Sequence, residues 1–358
     1  MKKHNFSAGP SILPKEVLNQ AANAVLNFNN SNLSLLEVSH RSDDFNQVMN
    51  TTKLLVKELL KIPAGYEVLF LQGGASLQFY MSALNYMGTN NTGGYIDTGT
   101  WSSKAIKEAN KTGKSIIISS SKDKNYNYIP KDNHTSMPID YLHFTSNNTI
   151  YGTQFHRFPQ KNNIKSPIIC DMSSDIMSRE FDVSNFDLIY AGAQKNIGPA
   201  GTTLVIIKKD TINFNQLPSY LNYHNHIEKG SMFNTPPVFS IYVCMLTLEW
   251  LKNKGGINNI SEENNAKANL IYKTIDNNPL FEGLVEKEDR SIMNATFKIK
   301  EEYAGLKLKF ENLCHEAGIT GINGHRSVGG YRASMYNALQ IESVDILCQI
   351  MNHILKKS

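Results

Sequence analysis

Residues 187–207 read DLIYAGAQKNIGPAGTTLVII, and the order of residue types in this stretch sets the fold. The apolar start, DLIYA, has the run expected of a buried strand. The β-branched end, TTLVII, has that of a second one. Between them Gly192, Gly198, Pro199 and Gly201 break regular structure and make the connection a loop. One cation, Lys195, lies inside that loop. An amine held between two buried strands loses hydration, so its ammonium form is disfavoured and the neutral amine becomes a nucleophile toward carbonyl carbons. Taken alone, a loop lysine is more often a solvated charge, because perturbed groups gather at few places in a chain. The neighbouring segments must therefore supply the rest of a site.

Upstream, EVLFL (67–71) reads as a strand, Gly73-Gly74 as a turn and ASLQFYMSALNYM (75–87) as a helix. A glycine turn opening into a helix aims backbone N–H groups and the positive end of the dipole at one spot, which suits a phosphate. The pattern is neither GxxxxGK[ST] nor GxGxxG, so a nucleoside triphosphate or dinucleotide is not indicated. The next unit repeats the design: GYIDT (94–98) is a strand and Trp101 stands where a helix begins. A tryptophan there can stack on an aromatic ligand, or simply pack in the core. KSIIISS (114–120), residues 141–145 and residues 167–170 read as further strands, and residues 147–152 as a polar loop. In SPIICDMSSDIMS (166–178), Asp171 follows an apolar strand directly. A carboxylate at a strand end can pair with a protonated pyridine nitrogen and keep that ring electron-accepting. It can equally be a helix N-cap.

Two basic clusters lie outside this frame. His40-Arg41 precedes a helix expected from about Asp44 to Leu60, and another helix is expected from about Lys15. The segment GINGHRSVGGYRASMYNAL (321–339) holds His325, Arg326 and Arg332 among glycines. Arginine offers a planar donor fork for anions, while the simpler reading of each cluster is a basic surface loop. SMFNTPPVFSIY (231–242) is polar with paired prolines and leads into an apolar helix over 239–251, too short to span a bilayer. A boundary falls near Lys254-Gly255-Gly256. Beyond it, SEENNAKANLIYKTI (261–275) and LKLKFENLCHEAG (306–318) read as helices and NATFKI (294–299) as a strand. That remainder is long enough for a small domain and is expected to pack with the N-terminal segment.

The chain has 358 residues, 41% hydrophobic and 19% charged, with a net charge of +4. These values fit a globular protein of roughly two domains. The charge is too small to argue for nucleic acid, and no RNA-binding motif is present. The four cysteines, Cys170, Cys244, Cys314 and Cys348, form no CxxC pair, so neither a zinc ribbon nor a redox pair is expected. No internal repeat is evident. MKKHNFSAGPSILP lacks the apolar core of a signal peptide. A cytoplasmic protein that binds neither membrane nor nucleic acid is the expectation, with no metal site.

The run AGAQKNIGPAG, the opening FSAGP and the stretch GHRSVGGYRAS together resemble the phosphoserine aminotransferases, pyridoxal-phosphate (PLP) enzymes of class V. The resemblance covers almost the whole chain, with its motifs in order. It implies an α/β fold, the fold-type-I arrangement of PLP-dependent transferases. Residues 16–255 would form a large PLP-binding domain with a mostly parallel sheet flanked by helices. Residues 1–15 and 256–358 would form a smaller α/β domain. It implies that Lys195 carries PLP covalently and moves the proton, with Gln194 near the cofactor phosphate. By the same resemblance Ala75 and Ser76 hold that phosphate, Trp101 lies over the ring, Thr149 bonds the ring hydroxyl and Asp171 pairs with the ring nitrogen. Some family members have arginine where this chain has Ser76, so the grip here would rest on backbone amides and the hydroxyl. Asn234 and Thr235 would reach the PLP phosphate of a partner subunit, making the active unit a homodimer. Arg332 would bind the substrate α-carboxylate, and His40, Arg41, His325 and Arg326 the substrate phosphate. The implied reaction moves the amino group of L-glutamate to the phosphorylated 2-keto acid 3-phosphohydroxypyruvate, giving O-phospho-L-serine and 2-oxoglutarate, in serine biosynthesis. Some members also act on the 4-phosphohydroxythreonine step of vitamin B6 synthesis. Another class-V enzyme, such as a cysteine desulfurase with a mobile loop cysteine, and an anion- or RNA-binding protein using the arginine clusters, are the alternatives.

Overall fold

The computed structural model describes residues 2–133, 135–213 and 216–356. The N-terminal part runs β1 (His4–Asn5), α1 (Lys15–Leu26), α2 (Asp43–Leu59), β2 (Tyr66–Leu71), α3 (Gly74–Tyr86), β3 (Thr92–Asp97) and α4 (Thr100–Ala109). It continues with β4 (Lys114–Ser120), β5 (Tyr141–Thr145), β6 (Ile168–Asp171), β7 (Leu188–Gly192), β8 (Thr203–Lys208), α5 (Tyr223–Glu228) and α6 (Val238–Asn253). The C-terminal part is α7 (Gly256–Asn277), β9 (Phe281–Gly283), β10 (Asn294–Ile299), α8 (Lys307–Glu316), β11 (Ile319–Thr320), β12 (Tyr331–Ser334) and α9 (Ile341–Lys356).

Seven strands form one sheet in the order β2-β8-β7-β6-β5-β3-β4. All neighbours are parallel except at β8, which runs against both β2 and β7. The sheet is thus mostly parallel, as the apolar runs predict, because both of its faces are covered. Alternate residues of one strand face opposite layers. Ile189 and Ala191 join Phe45, Met49 and Val56 of α2 and Ile241, Cys244 and Leu248 of α6. Leu188 and Tyr190 join Phe79 and Met81 of α3 and Ala105 of α4. Strands with no solvated face lose their polar positions, hence the unbroken run LIYA.

The strand directions place the ends Leu71, Asp97, Thr145, Asp171 and Gly192 along one sheet edge. This is where ligand sites form in open α/β sheets. Lys195 lies in the connection from β7 to β8, and Asp171 ends the adjacent strand β6.

In the C-terminal part β12-β10-β9 is an antiparallel sheet packed with α7, α8 and α9. Phe6 is buried in that same core, and β1 pairs in parallel with β11 through His4 and Ile319. At the expected boundary there is no extended linker: α6 ends at Asn253 and α7 starts at Gly256. Helix α9 lies outside the elements read from sequence, although Val344, Leu347, Cys348, Met351 and Ile354 are buried at helical spacing. Among the described residues no helix is long and apolar enough to cross a membrane.

Candidate active site

Lys195 stands in a tight loop closed by Ala193, whose N–H donates to the Thr202 carbonyl (3.1 Å) and whose carbonyl accepts from Gly198 N–H (2.9 Å). The N-terminal segment braces it. Ser11 donates its N–H to the Gln194 carbonyl (2.9 Å) and its hydroxyl to the Lys195 carbonyl (2.5 Å). Gly9, at φ +153°, packs beside it: an added Cβ would sit 3.7 Å from Cγ and Cε of Lys195, an ordinary contact distance. The positive φ, rather than lack of space, is what favours glycine at this position. Burial pulls the Lys195 amine down to about 8, against the opposing pull of the Asp171 and Asp175 carboxylates and helped by the Arg332 cation.

Asp171 is buried, and burial pushes its carboxyl above the usual range. A bond from Ser173 and the Lys195 charge hold it back. Its Oδ1 accepts from Ser173 N–H at 2.9 Å, so the local backbone-bonding role open to an aspartate here is also filled. The Ser173 hydroxyl in turn accepts from Gly192 N–H at 3.1 Å, linking the ends of β6 and β7. Asp175, which the sequence reading missed, is fully tied down. It accepts from Ser146, from Gln154 (3.0 Å) and from Arg179 (3.2 Å). It supplies a second negative charge facing Lys195. Its only sequence signal is a second carboxylate in DMSSD, two serines on from Asp171 and Met172.

Residues far apart in the chain converge on Thr149, in a loop that is polar in composition yet buried. Trp101 Nε1 donates to its hydroxyl (3.0 Å), and Arg332 Nη1 donates to its carbonyl (2.9 Å). Lys104 lies 4.6 Å from the Trp101 ring centroid and helps hold the indole in place. Arg332 Nε is buried without a hydrogen-bond partner among the described residues. Ala75 and Trp101 both pack against the same core layer under the sheet, and Ser76 is exposed. Both open α3, which no side chain caps. Gly73 turns into it at φ +90°, where a Cβ would collide with Leu77 at 2.5 Å.

The structure thus brings Lys195, Gln194, Asp171, Trp101, Thr149 and Arg332 together, with Ala75 and Ser76 at the same edge. The other predicted residues lie further out. Asn234 and Thr235 are exposed, and the Thr235 carbonyl accepts from Gln72 Nε2 (2.9 Å), beside the Gly73 turn. Arg41 is exposed and His40 half-buried in the loop before α2, whose cap is the Ser42 hydroxyl. His325 and Arg326 are exposed, and the His325 ring bonds the Ser327 hydroxyl at 2.7 Å. All four cysteines are buried and free, so none presents a thiol on an exposed loop as a desulfurase would need.

A buried amine and a buried carboxylate lie at neighbouring strand ends, with an arginine donor left open beside them. The chain belongs to the class-V aminotransferases: the family model, aminotransferase class-V, matches residues 3–347. It is 56% identical over 361 residues to the phosphoserine aminotransferase of Flavobacterium psychrophilum, covering 100% of both chains. A solved phosphoserine aminotransferase, described for radiation damage of its Schiff base, superposes with a TM-score of 0.95 at 46% identity over 100% of each chain. The PLP-bound phosphoserine aminotransferase of Trichomonas vaginalis gives 0.91 at 35% identity, covering 98% of this chain and 100% of that one. Its full-length relatives at these identities are phosphoserine aminotransferases, and the chain is a transaminase of that kind.

Proposed function

We propose that this enzyme binds PLP at Lys195 and transfers the amino group of L-glutamate to 3-phosphohydroxypyruvate, forming O-phospho-L-serine and 2-oxoglutarate. The observation that carries this reading is the pairing of an amine lowered to about 8 with the buried Asp171 on adjacent strand ends. The residues present fit PLP. A buried carboxylate with an incomplete set of partners suits a cationic ring nitrogen. The uncapped first turn of α3 suits a phosphate. Trp101, held by Thr149, offers a flat face for the ring. When bound, PLP supplies an aldehyde that takes up amino groups and a ring that accepts electrons from the carbon losing its proton.

The protein supplies the rest. Asp171 keeps the ring nitrogen protonated by charge pairing. Lys195, as a neutral amine, would take the α-proton of the amino acid and, then protonated, return it to the carbon that the PLP aldehyde supplies, acting as base and then acid. Arg332 orients the α-carboxylate through its open Nε, while Nη1 stays anchored on Thr149. His40, Arg41, His325 and Arg326 surround the phosphate of the keto acid. Ser76, Ala75 and Gln194 hold the PLP phosphate, joined by Asn234 and Thr235 of a second copy in a cytoplasmic homodimer. Residues 16–255 act as the cofactor domain, and residues 1–15 with 256–358 as the domain that brings Arg332 to it.

Two outcomes test this reading. The holoenzyme should show a visible absorption band that bleaches on adding glutamate. It should also use phosphohydroxypyruvate far better than hydroxypyruvate. Arg41→Ala or Arg326→Ala should cut that preference about 10²-fold, the scale of a lost charge-assisted contact to phosphate. Equal use of both keto acids by the wild type would remove the assigned substrate.

The lowered Lys195 pKa makes a separate prediction. The ammonium is inert toward an aldehyde, so capture of PLP by the apoprotein should quicken as pH rises to about 8 and level off above it. Stopped-flow absorbance reads this directly. A rate still climbing about tenfold per unit at pH 9 would mean an ordinary lysine.

A further inference from the structure

Lys267, on α7, is only 1% exposed, far from any role assigned above. Its ammonium donates to the carbonyls of Met335 (3.2 Å), Tyr336 (2.9 Å) and Leu339 (3.0 Å). An ammonium has three donors, and here each has its acceptor. Burial pulls the Lys267 amine down to about 7, Glu263 opposes this and Lys254 adds to it, and Glu263 is itself paired with Lys254 at 2.6 Å. The carbonyl dipoles of the 335–339 turn are thus the main partners of this buried cation. A lone buried charge is costly, so the turn and the lysine depend on each other.

The far side of that turn reaches the active site through Asn337. Its N–H donates to Asn196 Oδ1 (3.1 Å), its Nδ2 donates to the Met177 carbonyl (2.8 Å), and its Oδ1 accepts from Asn264 Nδ2 (2.9 Å). Asn196 follows Lys195 in the chain, and its Nδ2 donates to the Ile176 carbonyl at 3.0 Å. Ile176 follows Asp175, one of the two carboxylates acting on Lys195. Met177 is held at φ 60°, a conformation a methionine adopts only under constraint. One residue of the turn therefore bonds both the side chain of Asn196, which follows Lys195, and the backbone carbonyl of Met177, two residues after Asp175. Among the described residues, Lys254 is the one other cation acting on Lys267, and its ammonium is bonded to Glu263.

We propose that Lys267 is a positioning residue for amino transfer, fixing through the 335–339 turn and Asn337 the loop on which Lys195 stands. This rests on Lys195 being the cofactor lysine. Lys267 touches neither substrate nor cofactor, so its loss should disturb the catalytic step more than substrate binding. A displaced reacting group costs rate even when the substrate still binds.

The test uses PLP-loaded Lys267→Met, which removes all three donors, and Lys267→Gln, which keeps two. The pH titration of the visible band is measured along with kcat and the glutamate KM. In Lys267→Met the band midpoint should move by about half a unit or more. kcat should fall about tenfold, with KM within about twofold. Asn337→Ala added to Lys267→Met should cost much less than it does alone, because both cut the same chain of contacts. If Lys267→Met is insoluble, Lys267→Gln should show the same shift at smaller amplitude. A soluble variant that loses thermal stability but keeps the wild-type midpoint and kcat would reduce Lys267 to a structural anchor and overturn the proposal, as would additive effects of the two substitutions. A wild-type protein with no visible band would instead overturn the Lys195 assignment itself.

Discussion

Lys195→Ala should lower kcat for amino transfer by at least about 10⁴-fold, because one residue serves as covalent anchor, base and acid. Single-turnover mixing with glutamate separates this from a binding defect, since Arg332 and the phosphate-holding residues remain. Lys195→Arg should be as inactive as the alanine variant. A guanidinium keeps the positive charge but does not give up its proton, so it can neither attack an aldehyde nor take the α-proton. A variant retaining more than about one hundredth of wild-type kcat would move the proton transfer to another group.

Asp171→Asn should cost about 10³-fold in kcat while leaving the protein folded and able to take up PLP. The amide is nearly isosteric and can still accept from the Ser173 N–H, a bond made by one oxygen of Asp171. What disappears is the negative charge. That charge also raises the Lys195 pKa, against burial. Its loss should therefore move the pH inflection for PLP capture below about 8, so the variant captures PLP at lower pH than the wild type and then turns over poorly. Faster loading with slower catalysis is a pair of opposite effects that misfolding does not produce.

Much of this candidate site is legible in the sequence because its proposed parts sit at the punctuation of the chain. Strand-turn junctions mark Ala75, Trp101, Asp171 and Lys195, and the buried runs of β6, β7 and β8 up to Ile207 announce a sheet covered on both faces. Chemistry that depends on side chains meeting across the fold was not legible in this way. Asp175 is one more carboxylate in a serine-rich turn until the structure shows Ser146, Gln154 and Arg179 closing on it. Ser11 carries no local hint that its hydroxyl will find the Lys195 carbonyl. Lys267 lies in an amphipathic helix where a lysine reads as solvent-facing, and only the return of the chain at 335–339 buries it. The reversed strand β8 was likewise hidden, since strand direction leaves no mark on composition. The half-buried His40 and the exposed Arg41, His325 and Arg326 stand out by their charge pattern, which survives whatever the fold does with them.

The most direct test of the whole account is reduction of the PLP-saturated protein with borohydride, followed by proteolysis and mass mapping. The account predicts a single pyridoxyl group on the peptide containing Lys195, and none when glutamate is added first. A pyridoxyl group on another lysine, or its absence from Lys195 in protein saturated with PLP, would contradict it.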